Sequence, residues 1–171
     1  ERLSLLFHYT IGQKDVLITV EEEIQSVENY ICIQQYRFNV KYKLQKQIDD
    51  ADLLEYQIPK LTLQPIVENA LKYAFPGKRT CNRIVLQMFK TQTHVVMSIS
   101  DNGKGMEEQR LIEINELLSD GKKLLNKQKS GSGIALENVN ARIKLLFGTE
   151  YGLNVYSTVN VGTTVEIILP G

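Results

Sequence analysis

Gln-Pro-Ile-Val-Glu-Asn-Ala-Leu-Lys-Tyr-Ala-Phe, residues 64–75, reads as a helix whose apolar face also carries Glu68, Asn69 and Lys72. An ordinary core helix keeps such polar groups on its far side. Mg²⁺ takes hard oxygen ligands and bridges substrate phosphates, so the one amide oxygen of Asn69 suffices where phosphates supply the rest. Glu68 beside it is placed to orient or deprotonate a nucleophile, or to hold a metal-bound water. Lys72, one turn beyond Glu68, offers a counter-charge for phosphate, and Tyr73 a flat ring for a purine. A helix with one solvated edge is the plain alternative for this segment taken alone.

Three further motifs follow in order. Asp101-Asn-Gly-Lys-Gly-Met106 comes directly after an alternating strand, Val95–Ser100. An Asn-Gly pair there is equally a hairpin-turn signal. As a site, it puts a carboxylate at the mouth of a strand, where it accepts a hydrogen bond from the exocyclic amine of adenine. Gly103 and Gly105 then allow close backbone approach. Gly131-Ser132-Gly133 opens the next helix, where unpaired N–H groups favour an anion; a glycine-rich helix entry without a ligand is the alternative. Residues 119–130, with Lys122, Lys123, Lys127 and Lys129, read either as a lid over phosphates or as a solvated loop. Gly162-Thr163-Thr164 is the last of these turns. Together the motifs point to a nucleotide site.

That site is of neither common type. No Gly-x-x-x-x-Gly-Lys-Ser/Thr occurs, and Gly131-Ser-Gly133 lacks the third glycine of a dinucleotide fingerprint. The two histidines, His8 and His94, join no nucleophile or metal constellation, and His94 is expected to open a surface strand. The 171 residues are 43% hydrophobic and 23% charged with a formal net charge of zero, which makes no electrostatic case for nucleic acid or an anionic membrane surface. Cys32 and Cys81 lie outside any metal-ligand spacing and read as reduced thiols. No apolar run is long enough to span a bilayer, and no signal peptide is visible. Glu1 in place of Met implies a piece of a longer protein.

Around the motifs, Leu3, Leu5, Leu6 and Phe7 form an apolar cluster ending a helix before Gly12. A capping signal at Thr19 starts a helix running to about Phe38, with Ile24, Val27, Tyr30 and Ile31 at helical spacing. Val40–Ile48 alternates as a strand, Asp49–Asp52 is a solvated turn, and Leu61–Phe75 is a helix closed by Pro76-Gly77. Ile84–Lys90 and His94–Ser100 pair across Thr91–Thr93. Helices over Met106–Leu118 and Ile134–Phe147 and strands at Leu153–Ser157 and Thr164–Leu169 complete the chain. The pattern predicts an α+β, two-layer α/β sandwich, a mixed sheet with helices on one face. A boundary is expected near residue 39, separating a helical region (1–38) from the sandwich (39–171).

The four motifs in this order resemble the GHKL superfamily and its Bergerat ATP-binding fold. Leu-Gln-Pro-Ile-Val-Glu-Asn-Ala, Asp-Asn-Gly-Lys-Gly-Met and Gly-Ile-Ala-Leu-Glu-Asn-Val-Asn-Ala-Arg-Ile resemble bacterial sensor histidine kinases of the LytS/YesM type, as do Glu21-Glu-Glu and Tyr36-Arg-Phe. The resemblance implies ATP and Mg²⁺ as ligands, with Asn69 binding the metal and Glu68 beside it. It implies Lys72 near the phosphates, Tyr73 near adenine, and Asp101 reading the amino group within a turn shaped by Gly103, Gly105 and Met106. Gly131, Ser132 and Gly133 would close the phosphate side, and Gly162 and Thr163 would sit near the base. It also implies transfer of the γ-phosphoryl group to a histidine upstream, then to a response regulator, in a homodimer formed through residues 1–38 and segments before them. A membrane anchor outside this sequence, with this region cytoplasmic, is implied too. Two features depart from the pattern. His8 does not stand in the family's phosphoacceptor motif, and Asn160 replaces the first glycine of the last turn, where left-handed geometry is still open to it. A nucleotide-binding module without phosphoryl transfer is the alternative, and a serine kinase acting on a regulatory partner a more distant one.

Overall fold

The computed structural model describes residues 17–75, 82–119 and 132–171. The expected helix before Gly12, the Pro76-Gly77 stop, the lid lysines, Cys81 and Gly131 lie outside them. Five strands form one mixed sheet in the order β2 (Tyr42–Ile48), β4 (Asn82–Lys90), β5 (His94–Asp101), β7 (Gly162–Pro170) and β6 (Gly152–Thr158). β2 runs parallel to β4, and the other neighbours are antiparallel. β1 (Leu17–Thr19) and β3 (Gln57–Pro59) pair separately as a short ribbon.

Register explains the two layers. Leu86, Ile99, Val165 and Val155 form one cross-strand row, and Met88, Met97, Ile167 and Leu153 the next, all buried. The intervening positions, such as Gln87, Ser98, Glu166 and Asn154, form the other, more polar face. One apolar face therefore has to be covered. The covering layer comprises α1 (Val20–Phe38), α2 (Leu63–Asn69), α3 (Glu108–Ser119) and α4 (Ser132–Phe147). This is the expected sandwich. No helix among the described residues is long and apolar enough to cross a membrane.

Local chemistry sets the ends. Thr19 and Glu22 form a full capping box on α1, and Asn39, at φ 50°, ends that helix. α2 begins at Leu63 and not at Leu61, because Leu61 sits at φ 61°. It continues as a wider π turn over Ala70–Ala74. α3 begins at Glu108 and not at Met106, whose N–H is bonded to the Ser157 hydroxyl in the turn before it. Asp49–Asp52 is more than a turn: Asp50 caps a 3₁₀ helix, Ala51–Glu55, by accepting from the Asp52 N–H. His94 does open β5, with its ring edge-on to Tyr151.

The edge strand β6 is protected by side-chain amides. Asn115 of α3 pairs with both backbone groups of Val155 (2.9 and 3.1 Å). Asn140 of α4, buried, accepts from the Leu153 N–H and donates to the Leu118 carbonyl (2.9 and 2.8 Å). Asn140→Ala strands the Leu153 N–H, while the Leu118 carbonyl keeps the Lys144 amine (2.7 Å), so we expect a stability loss of about 2 kcal/mol, read as a shift in urea midpoint.

Candidate functional site

The sheet row beyond the apolar ones is Ile84, Asp101, Thr163 and Ser157. The alternation that buries Val95, Met97 and Ile99 thus turns Asp101 to the helical side at the mouth of β5. There it lines a cavity of about 530 Å³ between the sheet end, α2 and α3. Ile66, Ile99, Ile114, Leu136 and Val165 supply apolar walls, while Asn69, Asp101 and Thr163 are polar groups converging on it. A mostly apolar cleft of this size with few fixed polar groups is the ordinary form of a small-molecule site.

Asp101 Oδ1 accepts from the Gly103 N–H (2.8 Å) and the Thr163 N–H (3.4 Å). Burial pushes the Asp101 carboxyl above the usual carboxylate range, and the Gly103 and Thr163 N–H groups oppose the shift. Its other oxygen has no hydrogen-bond partner among the described residues. Ser157 ties the surrounding turns together. Its hydroxyl accepts from the Met106 N–H (2.9 Å), donates to the Gly162 carbonyl (3.0 Å) and meets the Thr163 hydroxyl (2.9 Å).

The backbone needs glycine at two of these points. Gly105, at φ 67°, lies against the Thr158 carbonyl, and Gly162, at φ 142°, against that of Asp101, with no room for a Cβ at either. Gly103 packs on Ala74, where the Lys104 N–H also bonds the Ala74 carbonyl (2.8 Å), so the first glycine turn is pinned to the end of the Asn69 helix. Asn160 is left-handed at φ 63° and bonds the Lys104 carbonyl, so the turn holds without its glycine.

Of the residues singled out in the sequence, Asn69, Tyr73, Asp101, Gly105, Met106 and Thr163 line this one cavity. Gly103 and Gly162 shape its turns from behind. Gly133 is buried at the start of α4, near Leu117, where the backbone of Ser132 begins the helix. Glu68 lies elsewhere: its carboxylate accepts from Gln64 (2.9 Å), which in turn accepts from Ser26 of α1 (3.0 Å). Lys72 is exposed, with its amine 4.9 Å above the Tyr73 ring. The cavity cations among the described residues are Lys104 and Arg110. Lys104 sits inside the quoted glycine motif and was readable there; Arg110, on α3, and Ser157, two strands from Asp101, carried no motif.

Two observations bear on a metal–nucleotide ligand. Asn69 Nδ2 is buried with no hydrogen-bond partner among the described residues, an orphan at the cavity wall. No group of three or more His, Cys, Asp or Glu able to hold a metal occurs among the described residues. An ion held here would need ligand oxygens from the bound molecule, which phosphates provide. The residues fit that arrangement.

The family model described as "Histidine kinase-, DNA gyrase B-, and HSP90-like ATPase" matches residues 57–171, and a "Histidine kinase" model matches residues 1–42. The chain is 35% identical over 170 residues to the sensor protein LytS of Bacillus anthracis and 37% identical over 171 residues to the sensor histidine kinase YesM of Bacillus subtilis. Both alignments cover 99% of this chain but only 28% and 27% of those relatives. Among solved structures, the catalytic domain of histidine kinase ThkA superposes with a TM-score of 0.62 at 16% identity, covering 90% of this chain and 95% of that one. A mycobacterial sensor histidine kinase, MprB, gives 0.59 at 18%, covering 91% and 96%. At such identities the structures speak for the fold alone.

Proposed function

Since this chain belongs to the family of histidine kinase-, DNA gyrase B- and HSP90-like ATPases, we propose that it is the ATP-binding catalytic part of a two-component sensor histidine kinase. The observation that carries the reading is the convergence of Asn69, from the helical layer, and Asp101, from the sheet, on one cavity. Asp101 accepts a hydrogen bond from the adenine amino group through the oxygen its own turn leaves free. Ser157 and Thr163 hold that carboxylate and the glycine turn in register, and Tyr73 and Met106 flank the base. Asn69 supplies the oxygen that holds Mg²⁺ with the nucleotide. A Mg²⁺ held there would supply charge neutralisation for the phosphates, which with positioning is most of what phosphoryl transfer requires. Lys104 and Arg110 add positive charge along the wall; Lys72 and the lysines of 122–129 join them when the nucleotide is present, with Gly131, Ser132 and Gly133 closing the phosphate side. Glu68, on the α1 side of its helix, orients the incoming acceptor.

In the full protein, residues 1–38 are the end of the helical dimerisation region and 39–171 the catalytic domain. The acceptor is a histidine upstream of residue 1, the onward partner is a response regulator, and the protein is a homodimer. A membrane anchor, where present, lies outside this segment, which works in the cytoplasm. The test is label transfer from γ-labelled ATP to the full-length protein. Label on histidine, lost in acid and kept in base, is expected; nucleotide binding with no transfer would replace this reading with a nucleotide-sensing module.

A further inference from the structure

Glu23, on α1, is 1% exposed and yet is charged by type. Its carboxylate is spent entirely on another element. Oε1 accepts from the Leu61 N–H (2.6 Å), and Oε2 from the N–H groups of Thr62 (3.1 Å) and Leu63 (2.9 Å). These are the groups that open α2, the helix carrying Asn69. α2 has no side-chain cap of its own, because the Thr62 hydroxyl donates backwards to the Pro59 carbonyl. Leu61 takes a left-handed φ of 61°, uncommon for a branched residue, and this bend turns successive N–H groups onto one anion. From the other side the Arg142 guanidinium of α4 donates to the carbonyls of Lys60 and Leu61. The loop 60–63 is thereby gripped by α1 and α4 together.

We propose that Glu23 is a positioning residue of the nucleotide site, setting the seat of Asn69 from α1 and bearing far less on the adenine end. The asymmetry follows from the fold. Asp101 is held by ladders to β4 and β7, and its glycine turn and Tyr73 meet the Asn69 helix only at its far end, Ala70–Ala74, away from loop 60–63. Asn69 rides on a helix of seven residues whose entry is fixed by a carboxylate from outside it. Glu23 also lies within the 1–42 match and grips the start of the Asn69 helix within the 57–171 match. A shift of α1 thus reaches the metal–phosphate end first. The inference rests on the ATP-binding reading of the cavity.

Glu23→Gln keeps the volume but turns an amide donor toward N–H groups. The folded variant is expected to bind Mg-ATP about tenfold more weakly, the loss of one charged cap, with adenosine affinity within about twofold of the parent. Amide exchange should quicken about tenfold over residues 63–70 and stay unchanged over 95–101. Unchanged Mg-ATP affinity, or equal loss for both ligands, overturns the proposal, since a merely structural role loosens the site as a whole. If Glu23→Gln does not fold, Arg142→Met is expected to show the same split at smaller size, and an even loss there overturns it equally. Should the parent protein bind neither ligand, the ATP reading falls. Exchange then decides alone: protection lost locally over 63–70 supports the positional link, and unchanged protection overturns it.

Discussion

Asp101→Asn is expected to lower ATP affinity by about 100- to 1000-fold with the fold intact. The amide oxygen can still accept from the Gly103 and Thr163 N–H groups, so the turn is kept. What changes is the second atom, an acceptor in the carboxylate and a donor in the amide. Facing an exocyclic amine, it exchanges a charge-assisted hydrogen bond for two opposed donors, about 3–4 kcal/mol in a desolvated site. Stability should move the other way. Burial raises the folded pKa of Asp101 above its ordinary 3.8. A carboxyl raised in this way contributes stability below its unfolded pKa and loses it as pH rises through the folded one. At neutral pH the native protein therefore carries an unfavourable buried charge, which the variant lacks. Its melting temperature at pH 7 should equal or exceed that of the parent, while at pH 3 the difference disappears. The same shift predicts that adenosine affinity falls on acidification from a higher pH than an ordinary aspartate would give. Calorimetry and thermal melts across pH check both. Unchanged ATP affinity in the variant would remove Asp101 from the site.

Asn69→Ala is expected to weaken Mg-ATP binding by about 100-fold and to abolish its dependence on Mg²⁺, with adenosine bound as before. In the proposed site the amide oxygen is the metal ligand, and alanine offers none. Folding should be nearly indifferent. Asn69 Nδ2 is already buried without a partner among the described residues, and deleting an orphaned donor recovers about 1–3 kcal/mol, offsetting the packing lost with it. Titrations at several Mg²⁺ concentrations separate the metal term from the base term. A variant that keeps its Mg²⁺ dependence would place the ion elsewhere.

Much of this site was legible because it obeys local periodicity. The alternation Val95, Met97, Ile99 leads directly to Asp101, so its inward aim needed no structure. Asn69 was visible as a polar residue on an apolar helix face, and the tolerance of Asn160 for a left-handed turn followed from its type. Ser157 was not legible, since its place beside Thr163 depends on cross-strand register, which pattern does not reveal. β1 and β3, three residues each, are too short to show a period. Glu23 is instructive: in Glu21-Glu-Glu it passes for a first-turn acidic residue, a role Glu22 fills in the capping box. Its actual partners lie 38 to 40 residues on. Lys72 shares a helix with Asn69, but the wide turn at Ala70–Ala74 and the Tyr73 ring carry its amine outside the cavity wall.

Calorimetric titration of this chain with ATP, ADP and GTP, with and without Mg²⁺, tests the central claim most directly. Binding of the adenine nucleotides, strengthened for ATP by Mg²⁺ and absent for GTP, is the predicted result. Equal binding of GTP, or no binding of any nucleotide, would contradict it.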